Sequence, residues 1–307
     1  MSDDEWHLWR RSGLGGSDVA AVLGLSPWSS PYSLWAEKVG LIPRDPSSSE
    51  AQEAGKMLEA AIGPWFTART GLGVYGEQNR CEHPGQPWMR CTIDGIVAEH
   101  GRAVGVAEWK VTQDTPESWA EKVPDYYACQ ATWNMLVTGT TRCWFGVLHT
   151  AFGRLRFRTY EFTLDESDAK FVQARCEKFW TEHVVTGEPP EIDAHEATTE
   201  ALTAMWPEAT GGTEAPAELQ AALVQREQWK QTRATADEQV QRIDNWVRSV
   251  LGDAELLTIG GEKAASWKWQ TTRRVDVKAL GADHPELVEQ YRNETRSRVL
   301  RYTKEKQ

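Results

Sequence analysis

The sequence predicts an α/β protein: a mixed central sheet flanked by helices, then a mainly helical C-terminal appendage with a small β element. Three observations predict it. Short runs near 73–79, 88–98, 103–112, 142–149 and 154–163 read as strands, and a helical run near 124–138 separates the third from the fourth. Helical runs near 17–24, 30–40 and 50–70 come before them. Beyond a stretch without periodicity, one long amphipathic helix dominates the remainder.

Composition bounds the possibilities. A chain of 307 residues holds one large domain or two smaller ones, and its 16 Trp supply large core surfaces. No run of about 18 apolar residues occurs, so no membrane span is expected. The start M-S-D-D-E is acidic, unlike a secretory signal, which points to the cytoplasm. Five scattered Cys (81, 91, 129, 143 and 176) suit reduced thiols. Cys81, His83 and Cys91 do not make a zinc site, because there is no C-x-x-C pair and no fourth ligand is evident. The net charge of −11 opposes a nucleic-acid partner only on average, since DNA needs a local basic track. From Arg226 onward sixteen Lys/Arg face thirteen Asp/Glu, a balance of +3, which leaves −14 for the rest. The basic run Arg292, Arg296, Arg298, Arg301, Lys304 and Lys306 reads either as solvated surface or as an edge for duplex DNA.

In chain order, R-R-S-G-L-G-G-S-D (Arg10 to Asp18) comes first. Gly15 and Gly16 allow close backbone approach, and Ser17 or Asp18 is placed to cap a helix beginning near Val19. A glycine-rich turn into a helix suits an anion, and Arg11 adds a bidentate phosphate donor. In Glu53 to Phe66, the residues Met57, Leu58, Ile62, Trp65 and Phe66 recur at helical spacing, so this helix packs on the sheet, with Gly55 and Glu59 on one side of it. The stretch from Thr92 to Lys110 is the richest in chemistry. Alternation puts Val104, Val106, Glu108 and Lys110 on one strand face, where a carboxylate and an ammonium are costly unless used. A hairpin through Ala98–Ala103, with Gly101 at its turn, returns Asp94 beside Glu108. Two carboxylates so placed suit a hard divalent cation. In the helix from Pro124 to Gly139, Tyr127, Gln130 and Asn134 fall on or near one face. The strands that follow join at Gly153-Arg154. Asp165 to Trp180 opens with acids, which suit a helix N-terminus.

Residues 1–190 are read as the core, 191–215 as a linker with a short helix near 196–206, and 216–307 as the appendage. In the appendage, Leu219, Leu223, Ala236, Val240, Ile243, Val247 and Val250 mark a long helix ending at Leu251-Gly252, with too few clean heptads for a coiled coil. Thr258 to Trp269 reads as a hairpin, H-P-E-L-V-E-Q-Y as a helix and S-R-V-L-R-Y-T as a closing strand.

The spacing D-x(13)-E-x-K resembles the core of the PD-(D/E)xK nuclease superfamily, with Ile93 where a Pro often stands. The opening motif, the G-x(3)-E of the third helix and the Y-x-x-Q of the later helix, taken in order, resemble the YqaJ-like viral recombinase family, which includes the phage lambda exonuclease. The resemblance covers about residues 10–140 and implies a restriction-endonuclease-like core. It implies that Asp94, Glu108, Glu59 and the Trp109 carbonyl hold Mg²⁺, with Mn²⁺ as a substitute. Lys110 would position the attacking water, and Gln130 would orient that Lys or its water. Arg11 and Ser17 match the pocket for a 5′-terminal phosphate, with Arg10 in place of Arg11 as the alternative. The implied activity is 5′-to-3′ digestion of one strand of linear double-stranded DNA, leaving a 3′ tail for a phage annealing protein. Relatives form rings around DNA, and no such interface is legible here. An endonuclease and a catalytically inert DNA-end-binding module are the alternatives.

Overall fold

Four helices open the chain: α1 (Asp3–Arg11), α2 (Gly16–Val22), α3 (Pro31–Val39) and α4 (Glu50–Thr70). The computed structural model describes residues 3–43, 50–120, 122–208, 210–294 and 296–302. Helix α2 begins earlier than its apolar run. Gly15 is its N-cap, and Asp18, the third helical residue, accepts the Gly15 N–H at 2.8 Å. The acid thus caps the helix from inside rather than preceding it. Among the described side chains of α4, Ile62 and Phe66 are the large apolar ones turned fully inward, while Met57 is 79% exposed. The expected stripe therefore narrows to one i, i+4 pair, with Trp65 on the flank stacked on Phe157 at 4.7 Å.

The strands follow as β1 (Gly73–Tyr75), β2 (Asn79–His83), β3 (Gln86–Ile93), β4 (Gly95–Glu99) and β5 (Arg102–Thr112). The single strand expected at 88–98 is two strands in different sheets. β3 pairs antiparallel with β2 in a two-stranded strap, whereas β4 belongs to the central sheet. Asp94 alone lies between them. The crossing is tight: a Cβ at Gly95 would lie 2.5 Å from Val74 Cγ1.

Next come α5 (Pro116–Ala120), α6 (Asp125–Thr138), β6 (Arg142–His149) and β7 (Arg156–Thr163). The central sheet has the order β1-β4-β5-β6-β7, antiparallel except for the parallel β5–β6 pair. A parallel neighbour needs a crossover, which α5 and α6 supply. The sheet is therefore mixed and flanked by helices, as its sequence indicates. One face packs against α2, α3 and α6 through residues such as Val106, Phe145, Trp133 and Met135. The opposite face packs against α4 through Ile62, Phe66, Trp109 and Trp144. Val104 departs from its expected face. A register shift between Val97 and Ala98 makes it the extra residue of a bulge, and it packs with Trp109 rather than Val106.

Helix α7 (Glu166–Phe179) is capped by Asp165, which accepts from the backbone of Ser167 and Asp168. Helix α8 (Glu196–Met205) is the short helix expected there, and its buried Thr198 hydroxyl bonds Ser30 at 2.6 Å. The first compact unit runs to Glu208 and so takes in part of the segment read as linker.

The second unit, from Ala209, holds α9 (Ala217–Leu251), a hairpin of β8 (Leu256–Ile259) and β9 (Glu262–Ser266), α10 (Val277–Asp283) and α11 (Pro285–Gln290). The closing strand expected near 297–303 is not formed among the described residues 296–302. Thr303, Lys304 and Lys306 lie outside the described residues. No helix of the described residues is long and apolar enough to cross a membrane.

Candidate active site

The hairpin of β4 and β5 sets Gly95 opposite Ala107, so Asp94 arrives beside the residues just beyond. Its backbone N–H reaches the Ala107 carbonyl at 3.3 Å, and its Oδ2 accepts the Trp109 N–H at 2.7 Å. Ala107 is the last β5 residue paired to β4. Trp109 thus stands past the end of that ladder, with its backbone edge turned toward Asp94. Gln78 Nε2 donates to the other carboxylate oxygen, Oδ1, at 2.9 Å. Gln78 holds φ +53°, the left-handed region that is uncommon for residues other than Gly.

Glu108 turns toward α6. Three donors fix its carboxylate: Lys110 Nζ at 2.5 Å, Gln130 Nε2 at 2.5 Å and Asn134 Nδ2 at 3.0 Å. Gln130 and Asn134 are one helical turn apart and therefore grip it side by side. Their close approach depends on Gly16, because a Cβ there would clash with the Asn134 amide oxygen. Lys110 also lies 4.9 Å from the centre of the Tyr127 ring. The Glu108, Lys110 and Gln130 heads thus meet beside the start of β4, near enough to Asp94 for their charges to act on one another.

The charges set one another. Burial pushes the Glu108 carboxyl up to about 7; Lys110 opposes the rise, and Asp94 and Glu59 add to it. Burial likewise raises Asp94, against the pull of Lys110 and the Trp109 N–H. Glu59, half-buried on α4, is raised first by desolvation and then by Asp94. Burial would lower Lys110, but the two carboxylates beside it hold it above its ordinary value. The three acids therefore sense one another, and Lys110 acts on all three while Lys56 adds to it at Glu59. With all ionised, the three acids and Lys110 together carry a charge of −2. Among the described residues no three His, Cys, Asp or Glu stand at the spacing of a ready-made metal cluster. A cation would have to draw in Glu59, the acid on the separate helix. The donor chemistry of these carboxylate oxygens nevertheless suits a hard divalent ion.

A second cleft, about 50 Å³, adjoins this site; its lining includes Arg10, Ser17, Arg90, Thr92 and Gln130. Of the two neighbouring arginines, Arg10 is the one brought to Ser17, with Nη2 at 3.0 Å from Ser17 Oγ and 3.0 Å from Asp18 Oδ1. The Arg10 Nε is buried without a hydrogen-bond partner. Arg11 is exposed and its guanidinium packs over Gly40 instead. The physical reason is α1, which was not anticipated: consecutive helical residues point about 100° apart, so only one of the pair faces the cleft. Beneath it, buried Lys38 donates to Asp18 Oδ2 at 2.7 Å and to the carbonyls of Arg10 and Gly13, both at 2.8 Å. Burial works against the Asp18 charge, but Lys38 and Arg10 together hold its carboxyl far below the usual range. No local pattern could reveal a partner twenty residues away.

Residues 5–141 match the model of the YqaJ-like viral recombinase domain. Over nearly its whole length the chain is similar to the YqaJ protein of Bacillus subtilis, 29% identical across 97% of this chain and 93% of that one. Among solved structures it is similar to an alkaline exonuclease, LHK-Exo, from Laribacter hongkongensis. That likeness covers 60% of this chain and 94% of the other, at 18% identity and a TM-score of 0.47. A phage-related exonuclease from Haemophilus somnus is 12% identical, with a TM-score of 0.43 over 57% of this chain and 96% of that one. The matched segment, residues 5–141, holds every residue of the carboxylate site and of the adjoining cleft.

Proposed function

We propose that the protein is a divalent-metal-dependent nuclease that digests one strand of linear double-stranded DNA from its 5′ end and leaves a 3′ single-stranded tail for recombination. One observation carries the reading. Glu108 and Lys110 meet beside the start of β4, near enough to Asp94 to act on its charge, and two amides of α6 fix the buried carboxylate. The viral recombinase family of the domain supports a place in DNA recombination.

Asp94, Glu108 and Glu59, with the Trp109 carbonyl, are the groups that would hold Mg²⁺. When bound, the ion lowers the pKa of a water and offsets charge on the phosphoryl oxygens. Lys110 would hold the attacking water and face the phosphate. Gln130 and Asn134 keep Glu108 from following the ammonium, and Gln78 aims Asp94. In the cleft, the unpaired Arg10 Nε–H and the Ser17 hydroxyl suit a terminal phosphate, with Arg10 rather than Arg11 in that role. A single-strand annealing protein is the expected consumer of the tail.

The test is a time course on 5′-phosphorylated linear duplex with and without Mg²⁺, beside Lys110→Ala. Release of mononucleotides only from linear DNA, only with the ion and not by the variant is expected. Cutting of closed circles would point to an endonuclease. Binding of ends with no release under any divalent ion would point to an inert end-binding module.

A further inference from the structure

Two cysteines face each other across the strap beside the cleft. Cys81 on β2 and Cys91 on β3 are directly opposed partners of the antiparallel pair. Residues so opposed point to the same side with Cα atoms roughly 4.5–5.5 Å apart. A disulfide needs about 4.4–6.8 Å. The register of the strap therefore already meets the backbone requirement for a bond that is not present, since both thiols are free.

Their surroundings differ in a useful way. Cys91 is 1% exposed and lines the cleft beside Ser17, Arg90 and Thr92. Cys81 is partly exposed and lines an open groove of about 930 Å³, together with Ile93, Ile96, Val106 and Leu136. One sulfur is reachable and its neighbour is shielded, the arrangement of an attacking and a resolving thiol. The hydrogen bond from the Cys91 thiol draws Cys81 down to about 7, against the effect of its burial. A substantial thiolate fraction at neutral pH is what the first attack requires.

We propose that Cys81 and Cys91 form a reversible disulfide site that closes in response to small disulfides and alters the adjoining cleft. The Cys81 thiolate attacks one sulfur of a low-molecular-weight disulfide such as glutathione disulfide and expels one thiolate. Cys91 then gives up its proton, attacks the Cys81 sulfur of the mixed disulfide and expels the second thiolate. Two protein S–H bonds are replaced by one S–S bond, and the small disulfide is reduced to two thiols. The strap is then locked by a short loop. β3 carries Arg90 and Thr92 into the cleft and runs directly into Asp94, so pulling the two sulfurs from hydrogen-bond to bond distance moves the cleft wall. Slower handling of 5′-phosphorylated ends follows; that last step rests on the nuclease reading, whereas the bond itself does not.

The experiment incubates the full chain with glutathione disulfide, maps its peptides without reduction, and repeats both steps on C81S and C91S. Wild type is expected to lose two of its five thiols, gain a peptide joining residues 81 and 91, and carry no glutathione. C91S should trap glutathione on Cys81, and C81S should leave Cys91 untouched. Glutathione retained on wild-type Cys81, or a bridge to another cysteine, overturns the proposal. Digestion of 5′-phosphorylated duplex is then compared for the bridged and the dithiothreitol-treated protein, with a fall of severalfold expected for the bridged form only. A bridged form that digests at the reduced rate overturns the link to the cleft. A reduced protein that digests nothing counts against the nuclease reading, and the peptide map still decides the disulfide.

Discussion

Replacing Lys110 by Ala separates chemistry from folding. The ammonium is one of three donors on Glu108, so removing it leaves both amides in place. Breaking a buried ion pair ordinarily costs about 3–5 kcal/mol, because a charge is stranded. Here Glu108 already titrates near 7, so taking up a proton at neutral pH costs only about 1 kcal/mol. With the lost packing over Tyr127, a total near 2 kcal/mol is reasonable, or a melting point about 4–8 °C lower for a domain of this size. Loss of a preorganised charge at a reacting phosphate costs about 10²–10³ in rate. The assay pairs thermal melting with initial rates on 5′-phosphorylated linear duplex, for Lys110→Ala and for the apolar isostere Lys110→Met. A modest shift in melting with a rate drop of two to three decades in both variants is expected. Rates within a factor of about three of wild type would remove Lys110 from the mechanism.

Other expectations follow from the same geometry. On the proposed reading Mg²⁺ would have to displace the proton on Glu108, so half-activation should need roughly tenfold more ion at pH 6 than at pH 8, as read by metal titration of activity. Without metal, the raised Glu108 binds more protons folded than unfolded. Its contribution should be largest at or below about pH 4 and fade as pH climbs to about 7, measurable by melting in chelator. Asp18 has the opposite sign: its depressed carboxyl stabilises above about pH 4 and loses that effect on acidification. Asp18→Asn should accordingly cost roughly 3 kcal/mol at pH 7 by chemical denaturation, since Lys38 loses its counter-charge. Arg10→Ala should erase the preference for phosphorylated over unphosphorylated ends, while Arg11→Ala keeps it; the reverse result would move the phosphate site to Arg11.

The sequence made some of this legible and hid the rest for physical reasons. Asp94, Glu108 and Lys110 could be brought together because strand parity and one hairpin fix relative positions over a short stretch. The same parity argument failed at Val104, where a bulge added one residue that no pattern marks. Strand β2, N-R-C-E-H, is polar and largely exposed, so its pairing carries no hydrophobic signature. Gln78 reaches Asp94 from a loop through a backbone conformation that its residue type does not announce. Asn134 lay on the face noted for Gln130, and its i, i+4 spacing was the available clue to a second grip on Glu108. The Arg10–Arg11 choice depended on the phase of a helix that was not foreseen.

The position of Asp94 as the lone link between strap and central sheet has a mechanical meaning. On its C-terminal side the backbone is pinned by a five-stranded lattice, and on its N-terminal side it continues into a two-stranded ribbon that forms one bank of the cleft. On the proposed nuclease reading, a DNA terminus seated against that bank would bear directly on the carboxylate, so seating of the end and alignment for hydrolysis would become a single lever stroke.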